Sequence, residues 1–283
     1  MPLPHMISHA QNGEDVVLRR ALHSKTSGLW VDIGACHPEI DSVTNHFSLL
    51  GWHGVNVEPD AGLHTLLSVA RPRDANVRCA IAADSRGRRF YPTGTRGHGT
   101  LSAALAEART PKDSYCVETM TLSALIDTYA SGREIDFCKI DVEGHEAEVI
   151  ASGDWRRHRP RIVIVEAVDL HGNRTHQTWE EAILSKGYLY SLFDGLNRWY
   201  VREEEPELRE KIEFPASVFD NWTHVSHINL LHEQDNLIKA LDLARNELES
   251  ARLQLEELSR YEDMTLLGFL RQRLFKTKET PVI

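Results

Sequence analysis

Short apolar runs alternate with segments of helical spacing along most of the chain. Runs bounded by turn residues predict strands, here at 29–33, 54–58, 77–82, 88–91, 135–140, 161–166, 188–193 and 198–201. Apolar positions three and four apart predict helices between them, at 16–22, 42–50, 63–70, 121–130, 146–152 and 177–186. Strands that alternate with helices predict a doubly wound α/β sheet, and the last two strands predict an antiparallel hairpin at its edge.

The pattern changes from about Asn229, where apolar positions alternate at spacings of four and three. This heptad spacing is typical of a coiled coil, and it is carried by Leu237, Leu241, Ala244, Leu248, Ala251, Leu255 and Leu258. We therefore predict two domains, a globular one at 1–228 and a helical coiled-coil tail at 229–283. The tail ends in a basic amphipathic stretch that suits a membrane surface or a partner protein equally well, with Arg271, Arg273, Lys276 and Lys278.

The apolar seam of the tail must be covered by fold-back, by a second copy or by another protein. Fold-back needs a sharp turn, and residues 229–234 contain no glycine or proline. We therefore expect a projecting helix that pairs with its own copy, so that the protein is a homodimer.

Composition and charge narrow the class of protein. The formal net charge of −10 over 283 residues argues against nucleic acid as a partner, because phosphate binding needs a basic face. No apolar run reaches the roughly 20 residues of a membrane span, and no secretory signal is visible. Four separated cysteines without a C-x-x-C pair predict reduced thiols, a cytoplasmic location and no zinc.

The first strand and its end carry the first functional signal. Asp32 lies near the end of this strand and Gly34 follows it, at the edge where open α/β sheets bind ligands. Glu58 closes the second strand, close to the offset of about 20 residues at which nucleotide folds place a ribose-binding carboxylate. Together, Gly34 and Glu58 predict a cofactor that carries adenosine. The alternatives are that Gly34 only forms a tight turn and that Glu58 is only a surface acid. The missing G-x-G-x-x-G pattern disfavours NAD.

Two polar segments are candidates for closing the site. Gln11 and Asp15 lie at the start of the first helix, where they either cover the cofactor or only cap the helix. The glycine-rich segment 94–100, which contains His98 and precedes Ser102, predicts a mobile lid over the acceptor. A disordered surface loop is the alternative.

A cluster of acids and a histidine follows the fourth strand, at Asp141, Glu143 and His145. His145 is a natural general base near neutral pH. Alternatively, Asp141 together with Glu166, the acid that closes the fifth strand, holds Mg²⁺. A third possibility is that Glu166 caps a neighbouring helix.

Five ordered segments, SHAQNGEDVVLRRAL, VDIGACHPEIDSVTNHF, GWHGVNVEPD, KIDVEGHE and FDGLNRWYV, resemble the FkbM-type S-adenosylmethionine-dependent O-methyltransferases. The branch found beside glycosyltransferases in bacterial surface-polysaccharide synthesis is the most similar. The resemblance covers about residues 7–222 and implies a class I methyltransferase, Rossmann-like sheet of seven strands with the last antiparallel. Cys36 departs from the usual Asn or similar polar residue of the family, and the position of His145 is variable in it.

The resemblance implies S-adenosylmethionine as cofactor and a sugar hydroxyl in a glycan or glycoconjugate as acceptor. By position, the residues expected at the cofactor are Gln11, Asp15, Asp32, Gly34, Ala35, Glu58, Pro59, Ala82 and Asp141. Those expected at the acceptor, beside Asp141, Glu143 and His145, are His98, Ser102, Glu166, Asp194, Asn197 and Arg198. For the last three, a plain hairpin turn is the alternative.

Two other functions stay open at this point. The chain could be a catalytically weak cofactor-binding scaffold that recruits a glycosyltransferase through its tail, or an NAD-dependent enzyme. The basic end of the tail also leaves open a location at the inner face of the membrane.

Overall fold

The computed structural model describes residues 4–93, 95–107, 113–169 and 171–276. The chain forms two compact units, Met1–Val225 and Ser226–Ile283. The predicted basic end of the tail extends to Lys278, which lies outside the described residues.

The first unit contains strands and short helices. Its strands are β1 (Met6–Ser8), β2 (Leu29–Ile33), β3 (His53–Val57), β4 (Ala75–Val77), β5 (Ala80–Ile81), β6 (Arg88–Phe90), β7 (Tyr115–Val117), β8 (Thr119–Met120), β9 (Phe137–Ile140), β10 (Ile162–Glu166), β11 (Tyr188–Phe193), β12 (Asn197–Arg202) and β13 (Trp222–His224). Its helices are α1 (Glu14–Leu22), α2 (Asn45–Leu49), α3 (Ala61–Ala70), α4 (Ala103–Glu107), α5 (Leu122–Tyr129), α6 (Glu146–Ala151), α7 (Glu180–Leu184) and α8 (Pro206–Lys211).

Seven strands form the main sheet, in the order β11-β12-β10-β9-β2-β3-β4. The strands from β10 to β4 run parallel to their neighbours, whereas β12 is antiparallel to both β10 and β11. The predicted hairpin is therefore present at the edge of the sheet. Because β2, β3, β9 and β10 point the same way, the residues that follow them converge on one edge.

Both faces of the central strands β2, β9 and β10 are buried, which explains why these strands read as continuous apolar runs. Successive side chains of a strand point to opposite faces, so Val31 and Ile33 join one hydrophobic cluster and Trp30 joins the other. Residues of α5, α6 and α7 complete the first cluster, and residues of α1, α2 and α8 complete the second.

The prediction of one strand at 77–82 is wrong, because the chain turns in the middle of this run. The amide of Cys79 donates to the carbonyl of Val77 over 3.1 Å, and this tight turn ends the pairing of β4 with β3. Ala80 and Ile81 then form β5, which pairs with β8 in a separate two-stranded sheet. The predicted edge strand at 88–91 also lies outside the main sheet, where β6 pairs with β7.

Several predicted helix boundaries also differ. The helix predicted from 42 begins at Asn45, with Thr44 as the residue before its first turn. The helix predicted at 177–186 is a 3₁₀ turn, His176–Thr178, followed by α7. The tail helix α9 (Val225–Lys276) begins before 229.

Two further features concern the whole of the described chain. Its four cysteines are all free. Among the described helices, none combines the length and the apolar character that crossing a membrane requires.

Candidate active site

A cavity of about 510 Å³ opens at the edge of the main sheet where the parallel strands end. Residues that end or follow four of these strands line it together, namely Gly34, Glu58, Asp141 and Glu166. Gln11 and the segment 95–101 complete its wall. The strand-end residues predicted separately from the sequence therefore meet in one cavity.

Both backbone geometry and space require a glycine at position 34. Gly34 has a φ of +84°, and a Cβ built on it would lie 1.8 Å from the carbonyl oxygen of Asp141. The amides of Gly34 and Ala35 both donate to the carbonyl of Val57 over 3.0 Å. These hydrogen bonds hold the turn after β2 against β3. At Gly34 the backbone faces the cavity without a side chain.

Two backbone amides hold the carboxylate of Glu58. Oε2 accepts from the amide of Cys36 over 2.9 Å and Oε1 accepts from the amide of Asp60 over 2.8 Å. Burial raises the pKa of Glu58 to about 7. Each carboxylate oxygen keeps a second lone pair for a hydroxyl that enters the cavity. The bond at Cys36 uses the backbone, so the unusual side chain at this position leaves it intact.

Lys139 is a member of the site that the sequence reasoning missed. Its side chain is about 10% exposed, and Nζ donates to Asp141 Oδ2 over 3.0 Å and to the carbonyl of Gly34 over 3.5 Å. Asp32 Oδ1 lies 3.8 Å away. The neighbouring carboxylates hold the pKa of Lys139 above its usual range despite its burial. The only signal for it was a lysine in the otherwise apolar strand β9.

Three carboxyl groups form an acidic cluster in the cavity, those of Asp141, Glu143 and Glu166. Oxygens from the three side chains lie within 4.8 Å of one another. Burial, followed by the charges of Asp141 and Glu143, raises the pKa of Glu166 well above its usual range. The side chains of Glu166 and Asp141 are also hydrogen-bonded to each other, so a proton is held between these two carboxyl groups.

The backbone of this cluster is held in an uncommon conformation. Glu143 has a φ of +55°, and such strained residues concentrate at functional sites. The hydroxyl of Thr100 donates to the carbonyl of Glu143 over 2.9 Å. The cavity-lining segment 95–101 is thereby tied to the acidic cluster.

His145 and Glu146 differ in what they can offer a ligand. His145 lines the cavity, burial lowers its pKa, and its Nδ1 has no hydrogen-bond partner among the described residues. Glu146 accepts from the amides of Val142 and Gly144 over 3.3 and 3.0 Å. His145 therefore keeps one ring nitrogen without a partner among the described residues, whereas Glu146 stabilises the turn.

The predicted lid segment forms one wall of the cavity. Its two ends are joined because Tyr91 and Thr100 exchange backbone hydrogen bonds over 2.9 and 3.1 Å. Arg96 pairs with Asp41 over 2.8 Å, and His98 lines the cavity. Gly94 lies outside the described residues, and the mobility of this lid stays a prediction.

The residues predicted to read the sugar from the hairpin do not line the cavity. Asp194 accepts from the amide of Asn197 over 2.7 Å, and the side-chain amide of Asn197 donates to Glu14 over 2.9 Å. Arg198 pairs with Glu180 over 2.6 Å. Local turn contacts and a half-buried ion pair engage these side chains. Val168, Asp169 and Leu196 line the cavity on this side.

Three other predicted site residues also lie outside the cavity lining. Asp15 accepts from the hydroxyl of Ser8 over 2.6 Å, and the hydroxyl of Ser102 accepts from the amide of Leu105 over 3.3 Å. Ala82 is fully buried. In place of Ala82, the same segment lines the cavity with Cys79, Ala80 and Ile81.

Comparison with known protein families gives one match. The family model described as Methyltransferase FkbM domain matches residues 32–190, more than half of the chain. The comparisons with curated proteins and with solved structures give no match. The matched range contains Gly34, Glu58, Lys139, Asp141 and Glu166, which meet in the cavity, and the resemblance seen in the sequence is confirmed. The chain belongs to the FkbM methyltransferase family.

Proposed function

We propose that the protein is an S-adenosylmethionine-dependent O-methyltransferase that acts on a sugar hydroxyl in a glycan or glycoconjugate. The observation that carries this proposal is the meeting of Gly34, Glu58 and the acidic cluster in one cavity. The strand order, with β12 as the antiparallel strand, supports assignment to the Rossmann-like class I methyltransferases.

The residues of the cavity fit an adenosine-bearing cofactor. The bare turn at Gly34 leaves space that any Cβ would fill, and Glu58 offers a fixed acceptor for two ribose hydroxyls. Cys79, Ala80 and Ile81 supply an apolar wall for a base. When bound, S-adenosylmethionine supplies the methyl group of a sulfonium, which is attacked in line by the acceptor oxygen.

The acidic side of the cavity suits the acceptor. Glu166 and Asp141 share a proton, and their remaining lone pairs can accept from the hydroxyls of a polyhydroxylated ring. The acceptor hydroxyl must also lose a proton. His145 lines the cavity and is the candidate general base for this proton.

A divalent cation is the second way to assist that proton loss. Mg²⁺ prefers carboxylate oxygens, and Asp141, Glu143 and Glu166 present three such groups close together. A cation bound there would displace the proton of Glu166 and lower the pKa of the acceptor hydroxyl. The sequence pointed to two of these ligands, and the structure adds Glu143 as a third candidate.

The reaction is tested with S-adenosylmethionine that carries an isotopically labelled methyl group and a panel of glycosides and oligosaccharides. Mass spectrometry of the products is expected to find the label in a sugar methyl ether. Label found only on amines or on protein side chains would contradict the proposed acceptor class.

Replacement of Glu58 by Ala is expected to weaken S-adenosylmethionine binding by at least about 1 kcal/mol, roughly fivefold in the dissociation constant. The reason is the loss of charge-assisted hydrogen bonds to the ribose. Isothermal titration calorimetry measures the effect, and Glu39→Gln, which removes an exposed acid outside the cavity lining, serves as the control.

The pH dependence of binding tests the same assignment. Since the pKa of Glu58 is raised to about 7, the ionised acceptor is present above this pH and is lost below it. Affinity is expected to rise between about pH 6 and pH 8 in the native chain, and this component is expected to vanish in Glu58→Gln. An equal pH dependence in both proteins would show that another group is responsible.

Chelator treatment and His145→Gln separate the two routes of proton removal. If a cation assists, chelation stops transfer, Mg²⁺ restores it, and His145→Gln retains most of the activity. If His145 is the base, chelation has little effect and His145→Gln lowers turnover by about a hundredfold or more. Initial rates of methyl transfer measure both.

The remaining assignments stay predictions. They are the cytoplasmic location, contact of the tail with a glycosyltransferase, and contact of its basic end with the inner face of a membrane. Flotation of the full chain with anionic and with neutral vesicles tests the membrane contact, because electrostatic attachment requires anionic lipid.

A further inference from the structure

The second unit exposes a regular apolar stripe. Every residue from 231 to 274 is exposed. The stripe, here called the seam, consists of Leu237, Leu241, Ala244, Leu248, Ala251, Leu255 and Leu258. Its least exposed leucine is still 52% exposed. A stripe with a period of 3.5 residues is the surface that two-stranded coiled coils bury.

The charges beside the seam differ between its two sides. Arg245 and Arg252 directly follow the alanines of the seam, at heptad position e, and Glu247 directly precedes Leu248, at position g. In a parallel pair, position g of one helix faces position e of the next heptad of the other. Glu247 then faces Arg252 of the second copy, and symmetry produces this attractive contact twice.

An antiparallel pair has the opposite charge pattern. In that arrangement, position e faces position e, and position g faces position g. Overlap of the whole seam then places arginines opposite arginines, which is unfavourable. Within its own chain, Arg252 pairs with Glu256 at 3.3 Å, an exposed contact of small energy that leaves it available.

We propose that α9 pairs with a second copy of this chain as a parallel two-stranded coiled coil, with the contact between Glu247 and Arg252 selecting direction and register. Ala244 and Ala251 form narrow layers in the middle of the seam, where the two helices approach closely. Leucine layers on either side supply most of the buried apolar surface. This proposal is independent of the proposed methyl transfer.

The seam is tested with two leucines of similar exposure. Leu248 lies in the seam and is 72% exposed, whereas Leu253 lies on the outer side at 61%. At micromolar concentration, light scattering of the full chain and of Leu253→Glu is expected to give about twice the chain mass of 32.1 kDa. Leu248→Glu is expected to give a single chain mass, and circular dichroism is expected to show loss of helix only to the extent that unpaired α9 unwinds. A monomeric native chain, or equal behaviour of the two variants, overturns the proposal.

The direction of pairing is tested by exchanging charges. Glu247→Arg sets like charges against each other in a parallel pair and is expected to raise the dimer dissociation constant about tenfold. Arg252→Glu is expected to act in the same way. The double variant restores the attraction and is expected to return within about threefold of the native value. If the double variant dimerises as weakly as the two single effects combined would give, the parallel arrangement is overturned.

Discussion

Replacement of Asp141 by Asn is expected to lower methyl transfer by at least about a hundredfold, while cofactor affinity changes by no more than a few-fold. Asn preserves the shape of the side chain but removes a charge from the acidic cluster. The carboxylate at this position accepts from Lys139 and lies beside Glu166. Loss of an accurately placed charge or proton acceptor commonly lowers the reaction rate by roughly two to three orders of magnitude.

Single-turnover kinetics and calorimetry measure the two effects of Asp141→Asn separately. Asp169→Asn is the matched control, because Asp169 is an acid of the same cavity wall whose carboxylate is engaged locally with Asn173. Denaturant unfolding of both variants detects any loss of protein stability that follows when the contact with Lys139 is weakened. Full activity of Asp141→Asn would reject the cation route and any essential role of this carboxylate in the transfer.

Replacement of Gly34 by Ala is expected to abolish cofactor binding and to destabilise the fold by more than about 2 kcal/mol. The added Cβ would overlap the carbonyl oxygen of Asp141, so the ends of β2 and β9 must separate. The left-handed backbone conformation adds roughly 1 kcal/mol for any L-residue. Calorimetry with S-adenosylmethionine and denaturant unfolding measure the two effects.

Gly51→Ala separates backbone strain from steric overlap. Gly51 has a similar φ of +88°, but a Cβ there meets no atom within 4 Å. This variant is expected to lose only about 1 kcal/mol of stability and to bind the cofactor normally. If Gly34→Ala folds and binds as well as Gly51→Ala, the turn after β2 is not the cofactor site.

The sequence predicted the parts of the site that depend on single strands. Buried parallel strands are apolar throughout, so β2, β3, β9 and β10 were visible, and the polar residues at their ends identified the binding edge. Gly34 and Glu58 were recognisable because their spacing follows from one strand-turn-helix-strand unit.

The parts that were missed depend on contacts between distant segments. Lys139 is functional only because β9 lies next to β2, which brings its Nζ between Asp32 and Asp141. The hairpin acid Asp194 looked available for a sugar, but a polar side chain at a turn is often satisfied by the turn itself. Likewise, the apolar run at 77–82 contained no sign of the turn at Cys79 that divides it.

The two amides that hold Glu58 reduce the entropic cost of ligand binding. A free glutamate side chain loses up to about 2 kcal/mol of conformational entropy when it is immobilised. Because Cys36 and Asp60 already fix this carboxylate, the immobilisation is completed during folding. The cavity is therefore preorganised at this point, and ribose binding needs no ordering of Glu58.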